Sequence, residues 1–262
     1  MMNLTETILY SCGISLFSSF GIQKVEAKRP NILFIMTDQQ RYDMLSCAGN
    51  RYVHTPLLDQ LAENGVRFER NYCANPVSMP SRFAMITGRF AGEIGYTNNS
   101  TKPDTLRDKP FFLYLSFMNP HDICYGAGFD PRFPDKLRPH QIAATQKYID
   151  FHKTLSEEEY RNQIPPVPAN MEPNGAYAEM KEIGSGSRNW TEEQWNFYRW
   201  MYCRLVEDVE KQIGRILTAL ADAGLAGNTI VVFTSDHGEM GQSHGLVFKS
   251  QLLEEATRTP LI

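Results

Sequence analysis

The chain carries three short, unbroken apolar runs, and each ends in polar residues able to do chemistry. Asn31 to Met36 leads into Thr37 and Asp38. Phe111 to Phe117 leads into Asn119, Pro120, His121 and Asp122. Thr229 to Thr234 leads into Ser235, Asp236, His237, Gly238 and Glu239. Continuous rather than alternating hydrophobicity predicts strands buried on both faces. Between the first two runs, Thr55 and Pro56 open a helix that reaches Asn64 and stops at Gly65, with Thr as N-cap and Pro at the first helical position. Val66 to Tyr72 predicts a further strand, and Ser81 to Thr87 the start of a helix. Cys124 to Arg188, rich in Pro, Gly and charge, predicts an irregular excursion over the surface. Thr191 and Gln194 form a capping box before a long stripe of Tyr198, Tyr202, Leu205, Val209, Ile213, Ile216 and Leu220, closed by Gly224. Together these elements predict an α/β fold: a mainly parallel central sheet with helices on both faces, and a ligand site beyond the carboxyl ends of the strands.

Composition narrows the function without naming it. The 262 residues are 42% hydrophobic and 21% charged, with a formal net charge of −4, which fits one large globular domain or two small ones. The absence of a long basic run speaks against nucleic acid as partner, so an anionic substrate has to be met by a local cluster. Ile8 to Ile22 is apolar, and Val25, Glu26 and Ala27 suit a signal peptidase. Residues 1–27 therefore read as an export leader, with Glu6 and no Lys or Arg ahead of the run, and 28–262 as the working domain. A mis-assigned start or an unusual N-terminal helix is the other reading. The run is too short and interrupted for a stable membrane span. Cysteines 12, 47, 73, 124 and 203 show no metal-type spacing; they read as buried thiols, with disulfides open to them outside the cytoplasm.

The strand ends supply the candidate chemistry. Asp38, Asp236 and the amide of Gln39 are hard oxygen donors suited to Ca²⁺ or Mg²⁺. His237 either ligates or hydrogen-bonds a neighbouring carboxylate or the substrate. Ser78, followed by Met79, Pro80, Ser81 and Arg82, is a weak nucleophile until a base, a metal or chemical conversion activates it; the same residues also suit a plain helix start. The planar fork of Arg82 suits an oxyanion, and His121 and Lys249 are further candidates to contact one.

Asn31 to Asp38, Asn71 to Gly88, Asn119 to Asp122 and Thr234 to Lys249, in that order, resemble type I sulfatases of the alkaline-phosphatase superfamily, and Glu254 to Leu261 resembles the segment after their metal motif. The resemblance implies that Ser78 is oxidised to formylglycine, whose hydrate attacks the sulfur of an organic, carbohydrate-type sulfate ester. It implies one Ca²⁺ on Asp38, Gln39, Asp236, His237 and residue 78. Arg82 and Lys249 would stabilise sulfate oxygens, and His121 would assist the departing alkoxide. A serine at position 78 implies a radical SAM maturase of the anaerobic type and a bacterial product that is periplasmic or secreted. Several departures stand out. Many family members carry Asp where Gln39 stands and Asn where His237 stands. Between Ser100 and Lys109 the family's long segment with its Gly-Lys-x-His element has no counterpart, and the chain stops at Ile262, where the family continues into a C-terminal subdomain. The expectation is an internally deleted and C-terminally truncated sulfatase-like domain with impaired activity. Its alternatives are a non-catalytic binder of sulfated glycans, a phosphatase or phosphonate hydrolase of the same superfamily, and a nonfunctional fragment.

Overall fold

The first apolar run forms β1 (Asn31–Asp38), the middle strand of a three-stranded sheet. It pairs in parallel with β2 (Phe112–Pro120) on one side and β3 (Thr229–Ser235) on the other, in the order β2-β1-β3. Register is what matters for function: Thr37 lies opposite Ser235 and Asp38 opposite Pro120, so all three strands deliver their terminal polar residues at one edge. This computed structural model describes residues 29–90, 92–93, 112–126, 139–171 and 190–262. The leader at 1–27, the link between Ser100 and Lys109, Phe111 and parts of the excursion lie outside the described residues.

The remaining elements are α1 (Pro56–Glu63), α2 (Ser78–Thr87), α3 (Ile123–Gly126), α4 (Pro139–His152), α5 (Glu157–Gln163), α6 (Glu192–Asp222) and α7 (Glu254–Thr257). One sheet face, built from Leu33, Ile35, Leu115, Phe117, Val231 and Phe233, packs on Leu58 and Leu61 of α1 and on Val209, Ile213, Ile216 and Leu220 of α6. Val209 and Ile213 are buried, each contributing about 1.5–3 kcal/mol by removal from water. The capping box of Thr191 and Gln194 starts α6 as the sequence predicts. On the other face Phe34 stacks on Tyr114 with ring centroids 5.7 Å apart. There α2 stands over the carboxyl end of the sheet, leaving an apolar cavity of about 540 Å³ lined by Phe34, Met85, Phe90, Phe112, Tyr114 and Leu261. Among the described residues no helix is long and apolar enough to cross a membrane.

Three expectations are corrected. Val66 to Tyr72 is not a strand: Val66, Phe68 and Tyr72 are more than half exposed, with no sheet face to bury them. Its backbone instead bonds irregularly to the closing segment, Phe68 N–H donating to the Leu261 carbonyl and Cys73 N–H to that of Thr257, around a lone bridge between Tyr72 and Arg258. The segment from Cys124 onward is not wholly irregular. α4 and α5 dock on the N-terminal half of α6 through Phe151, His152, Tyr160, Phe197 and Trp200, an aromatic cluster rather than an apolar stripe. Ser156 and Glu159 form a second capping box at the start of α5. Finally, α2 begins at Ser78, not Ser81. The described cysteines 47, 73, 124 and 203 are all free thiols.

The seam between α1 and α6 rests on a buried carboxylate. Glu210 Oε1 accepts from the Leu57 and Leu58 amides at 2.5 and 3.3 Å, satisfying donors that a helix start leaves orphaned. Burial pushes the Glu210 carboxyl above the ordinary range. Glu210→Ala is expected to cost about 1–3 kcal/mol, visible as a thermal midpoint several degrees lower, whereas Glu210→Gln keeps the acceptor and loses less. Equal midpoints for the two variants would contradict this account.

Candidate active site

Each polar residue at the sheet edge is placed by an element that has a separate reason to exist. Asp38 ends β1, Asp236 and His237 follow β3, and His121 follows β2 across the Asn119–Pro120 cis bond. Ser78 is the first residue of α2, where unpaired amides and the helix dipole favour negative charge. Lys249 sits on the loop after β3.

These side chains meet. Ser78 Oγ lies 3.0 Å from His237 Nε2, donates to Asp38 Oδ1 at 3.3 Å and accepts from Lys249 Nζ at 3.0 Å. Lys249 Nζ is also 3.6 Å from Asp38 Oδ1. Arg82 spans both aspartates: Nε donates to Asp236 Oδ2 and Nη2 to Asp38 Oδ2, each at 2.9 Å, while Nη1 reaches Ser116 Oγ. Burial alone would lower the Arg82 pKa, but Asp236 and Asp38 outweigh it and the guanidinium is held charged. Ser81, which the sequence reading passed over, donates to the Asp236 carbonyl at 2.5 Å and ties α2 to the strand end.

With both Oδ2 atoms committed to Arg82, the two Oδ1 atoms turn inward, each 3.5 Å from His237 Nε2. His237 Nδ1 lies 3.0 Å from the Gly238 carbonyl, an acceptor, so the ring proton sits on Nδ1 and Nε2 presents a lone pair. Asp38, Asp236 and His237 thus form a buried cluster whose donor atoms lie within 4.8 Å of one another. These three inward donor atoms, shared with the Ser78 hydroxyl on Asp38 and the Gln39 N–H on Asp236, make a cradle for a divalent cation, and two carboxylates suit it to a hard one. Burial above all, with the Lys249 ammonium beside it, pushes the His237 imidazole down to about 3.

Gln39 is placed differently from the rest. Its φ of 72° turns the chain sharply. Its backbone N–H donates to Asp236 Oδ1 at 3.0 Å, while its side-chain amide is taken up by Glu239 and by Cys124 Sγ. Glu239 is the residue whose importance the sequence conceals. It is fully buried and also accepts from Tyr198 Oη at 2.8 Å and from the amides of Gly241 and Phe248 at 3.1 and 2.7 Å. Burial pushes its carboxyl up against the pull of these donors. Its position directly after the Asp-His-Gly run was the one available clue. His121 is half-buried, its Nδ1 has no hydrogen-bond partner among the described residues, and burial together with Lys249 lowers its pKa. Gly238 is forced by crowding: a Cβ there would lie 1.9 Å from the Glu255 carbonyl oxygen.

With this geometry in view, the comparisons give the family. The sulfatase family model matches residues 30–106 and 103–262, and the chain belongs to the sulfatase family. An N-acetylglucosamine-6-O-sulfatase of Bacteroides thetaiotaomicron is 26% identical over 378 residues, covering 99% of this chain and 67% of that protein. A solved 2-O GAG sulfatase superposes with a TM-score of 0.67 at 20% identity, covering 90% of this chain and 64% of its own. The phosphonate monoester hydrolase of Agrobacterium radiobacter superposes with a TM-score of 0.60 at 21% identity, covering 89% and 67%. The shared fold is alkaline-phosphatase-like. The chain spans about two thirds of the length of these proteins. The family match falls into two stretches that meet at 103–106, and the 378-residue alignment exceeds the 262 residues of the chain, so a long stretch of that relative faces a gap here.

The buried imidazole makes metal-free stability depend on pH. In the unfolded chain His237 takes up a proton near its ordinary value of 6.5, in the folded protein only near 3. Stability is therefore whole above about 6.5 and falls as the pH drops through that window, by up to about 1.4 kcal/mol per unit. The lowered pKa of His121 acts in the same direction. In chelator, thermal midpoints should fall between about pH 7.5 and pH 5.5, and less so in His237→Asn; parallel curves would count against the buried neutral imidazole.

Proposed function

We propose that this chain is a sulfuric ester hydrolase acting on sulfated carbohydrate. The carrying observation is the meeting of Ser78 Oγ with Lys249, Asp38 and His237 at the first turn of α2. The helix start and Lys249 favour an anionic group above residue 78, and the carboxylates beneath it favour a divalent ion. The residues present fit Ca²⁺, with Asp38, Asp236, His237 and residue 78 as its holders; Gln39 joins them only if its amide leaves Glu239. When bound, the ion supplies Lewis acidity toward a sulfate oxygen, and a formylglycine made from Ser78 by an anaerobic-type maturase supplies, as its hydrate, the attacking hydroxyl.

The chain's own residues do the rest. Lys249 donates to the oxygen on residue 78 and so stabilises negative charge there as the nucleophile loses its proton. Arg82 fixes the orientation of both aspartates. His121, whose Nδ1 has no hydrogen-bond partner among the described residues, is the side chain left to hydrogen-bond the oxygen of the departing alcohol. The N-acetylglucosamine and GAG sulfatases among the similar proteins support a sulfated sugar as substrate. The apolar stretch Ile8 to Ile22 supports export to the periplasm or medium.

Expression with an anaerobic maturase should remove two hydrogens from the peptide containing residue 78, read by mass spectrometry, and should yield hydrolysis of an aryl sulfate in preference to the matching phosphate. Ser78→Ala should abolish turnover, and Lys249→Ala should lower kcat by roughly 10²–10³. Phosphate preference would end the sulfate reading. The stretch of the relative that faces a gap here, where the two parts of the family match meet at 103–106, favours one rival, a glycan-binding protein without turnover; sugar-sulfate binding by the matured protein with no sulfate released would establish that instead.

A further inference from the structure

Lys249 is held in a place that its own loop does not favour. Phe248 and Ser250, its two neighbours, both have left-handed backbones, with φ of 70° and 82°, as do Gln242 and His244 earlier in the loop. Such conformations are unfavourable for non-glycine residues and persist only when the surroundings impose them. Farther out in the loop, Arg199 Nη1 of α6 donates to Gln242 Oε1 and His244 N–H to the Asn170 carbonyl; around Lys249 itself three contacts impose the conformation. Ser250 N–H donates to the Pro76 carbonyl at 3.1 Å, two residues before Ser78. Met240 N–H donates to the Phe248 carbonyl at 2.8 Å, closing the loop at its base. Phe248 N–H donates to Glu239 Oε1 at 2.7 Å.

Glu239 also grips everything else around that base. The same Oε1 accepts from Tyr198 Oη of α6 and from Gly241 N–H, while Oε2 accepts from the Gln39 amide at the end of β1. The carboxylate is fully buried, and among the described residues no ion pair neutralises it. A buried charge held only by neutral donors is costly, and folding alone is as well served by an apolar side chain of that size.

We propose that Glu239 is a positioning residue, whose carboxylate clamps loop 240–248 to α6 and to the end of β1 and so fixes Lys249 Nζ against Ser78 Oγ. The inference rests on the hydrolase reading only for its effect on turnover; the clamp itself is testable without it. Glu239→Gln is the informative change, because an amide offers one acceptor oxygen and turns an NH₂ group toward donors, so that either the Phe248 or the Gln39 bond is lost.

The experiment is acetylation of the full chain by an amine-reactive ester, with peptides quantified by mass spectrometry. Lys249, whose side chain is 13% exposed, is compared with Lys147, at 55%, in the same sample. In Glu239→Gln the ratio of Lys249 to Lys147 labelling should rise by about tenfold or more, as expected for a loop that opens more often. Tyr198→Phe removes one donor and keeps the charge; it should raise the ratio less, and it serves alone if the first variant does not fold. On an aryl sulfate, Glu239→Gln should lower kcat with little change in KM, and should add no further loss in a Lys249→Met background, since both changes remove one function. Labelling of Lys249 at the wild-type ratio in the folded variants, or additive losses in the double variant, would overturn the proposal. If the matured wild type releases no sulfate, the hydrolase reading fails while the labelling still decides the clamp.

Discussion

One guanidinium lies across two carboxylates, and the site takes its shape from that contact. Asp38 and Asp236 end neighbouring parallel strands and repel one another. Arg82 binds the outer oxygen of each, which relieves the repulsion and aims both inner oxygens at His237. Because Arg82 comes from α2, the same contact fixes the azimuth of that helix and brings its first residue, Ser78, over the cluster. The fork of Arg82 engages the protein's own acids here, and Lys249 donates to the residue 78 oxygen.

The three strands were legible because each is a continuous apolar run bounded by polar residues, a pattern fixed by burial on both faces. The long helix was legible from its capping box and its stripe. Val66 to Tyr72 misled because β-prone residues report a preference for extended backbone and say nothing of whether a partner edge exists; here only Tyr72 bridges. α4 was hidden because it docks by aromatic edges onto Trp200 and Phe197 rather than by an apolar stripe along its length.

The candidate site divides in the same way. Asp38, Ser78, Asp236 and His237 were readable because each sits at a strand end or helix start within a short motif, and topology alone brings such ends together. The orientation of Gln39 and the importance of Glu239 were not readable, since both depend on Tyr198, Cys124 and Phe248, which are remote from Gln39 in sequence. A hydrogen-bond network of this kind is decided by which donors are left over once the backbone is paired.

Gly238 separates the cradle from the closing segment by the thickness of one missing methyl group. Its N–H donates to the Ala256 carbonyl at 2.8 Å, and the Glu255 carbonyl oxygen fills the space a side chain would need. The short stretch from Glu254 to Ile262, which also pairs with Phe233 of β3, is thereby pressed against the backbone that presents His237. Histidine geometry and the seating of that stretch are mechanically one object: whatever loosens the tail loosens the imidazole.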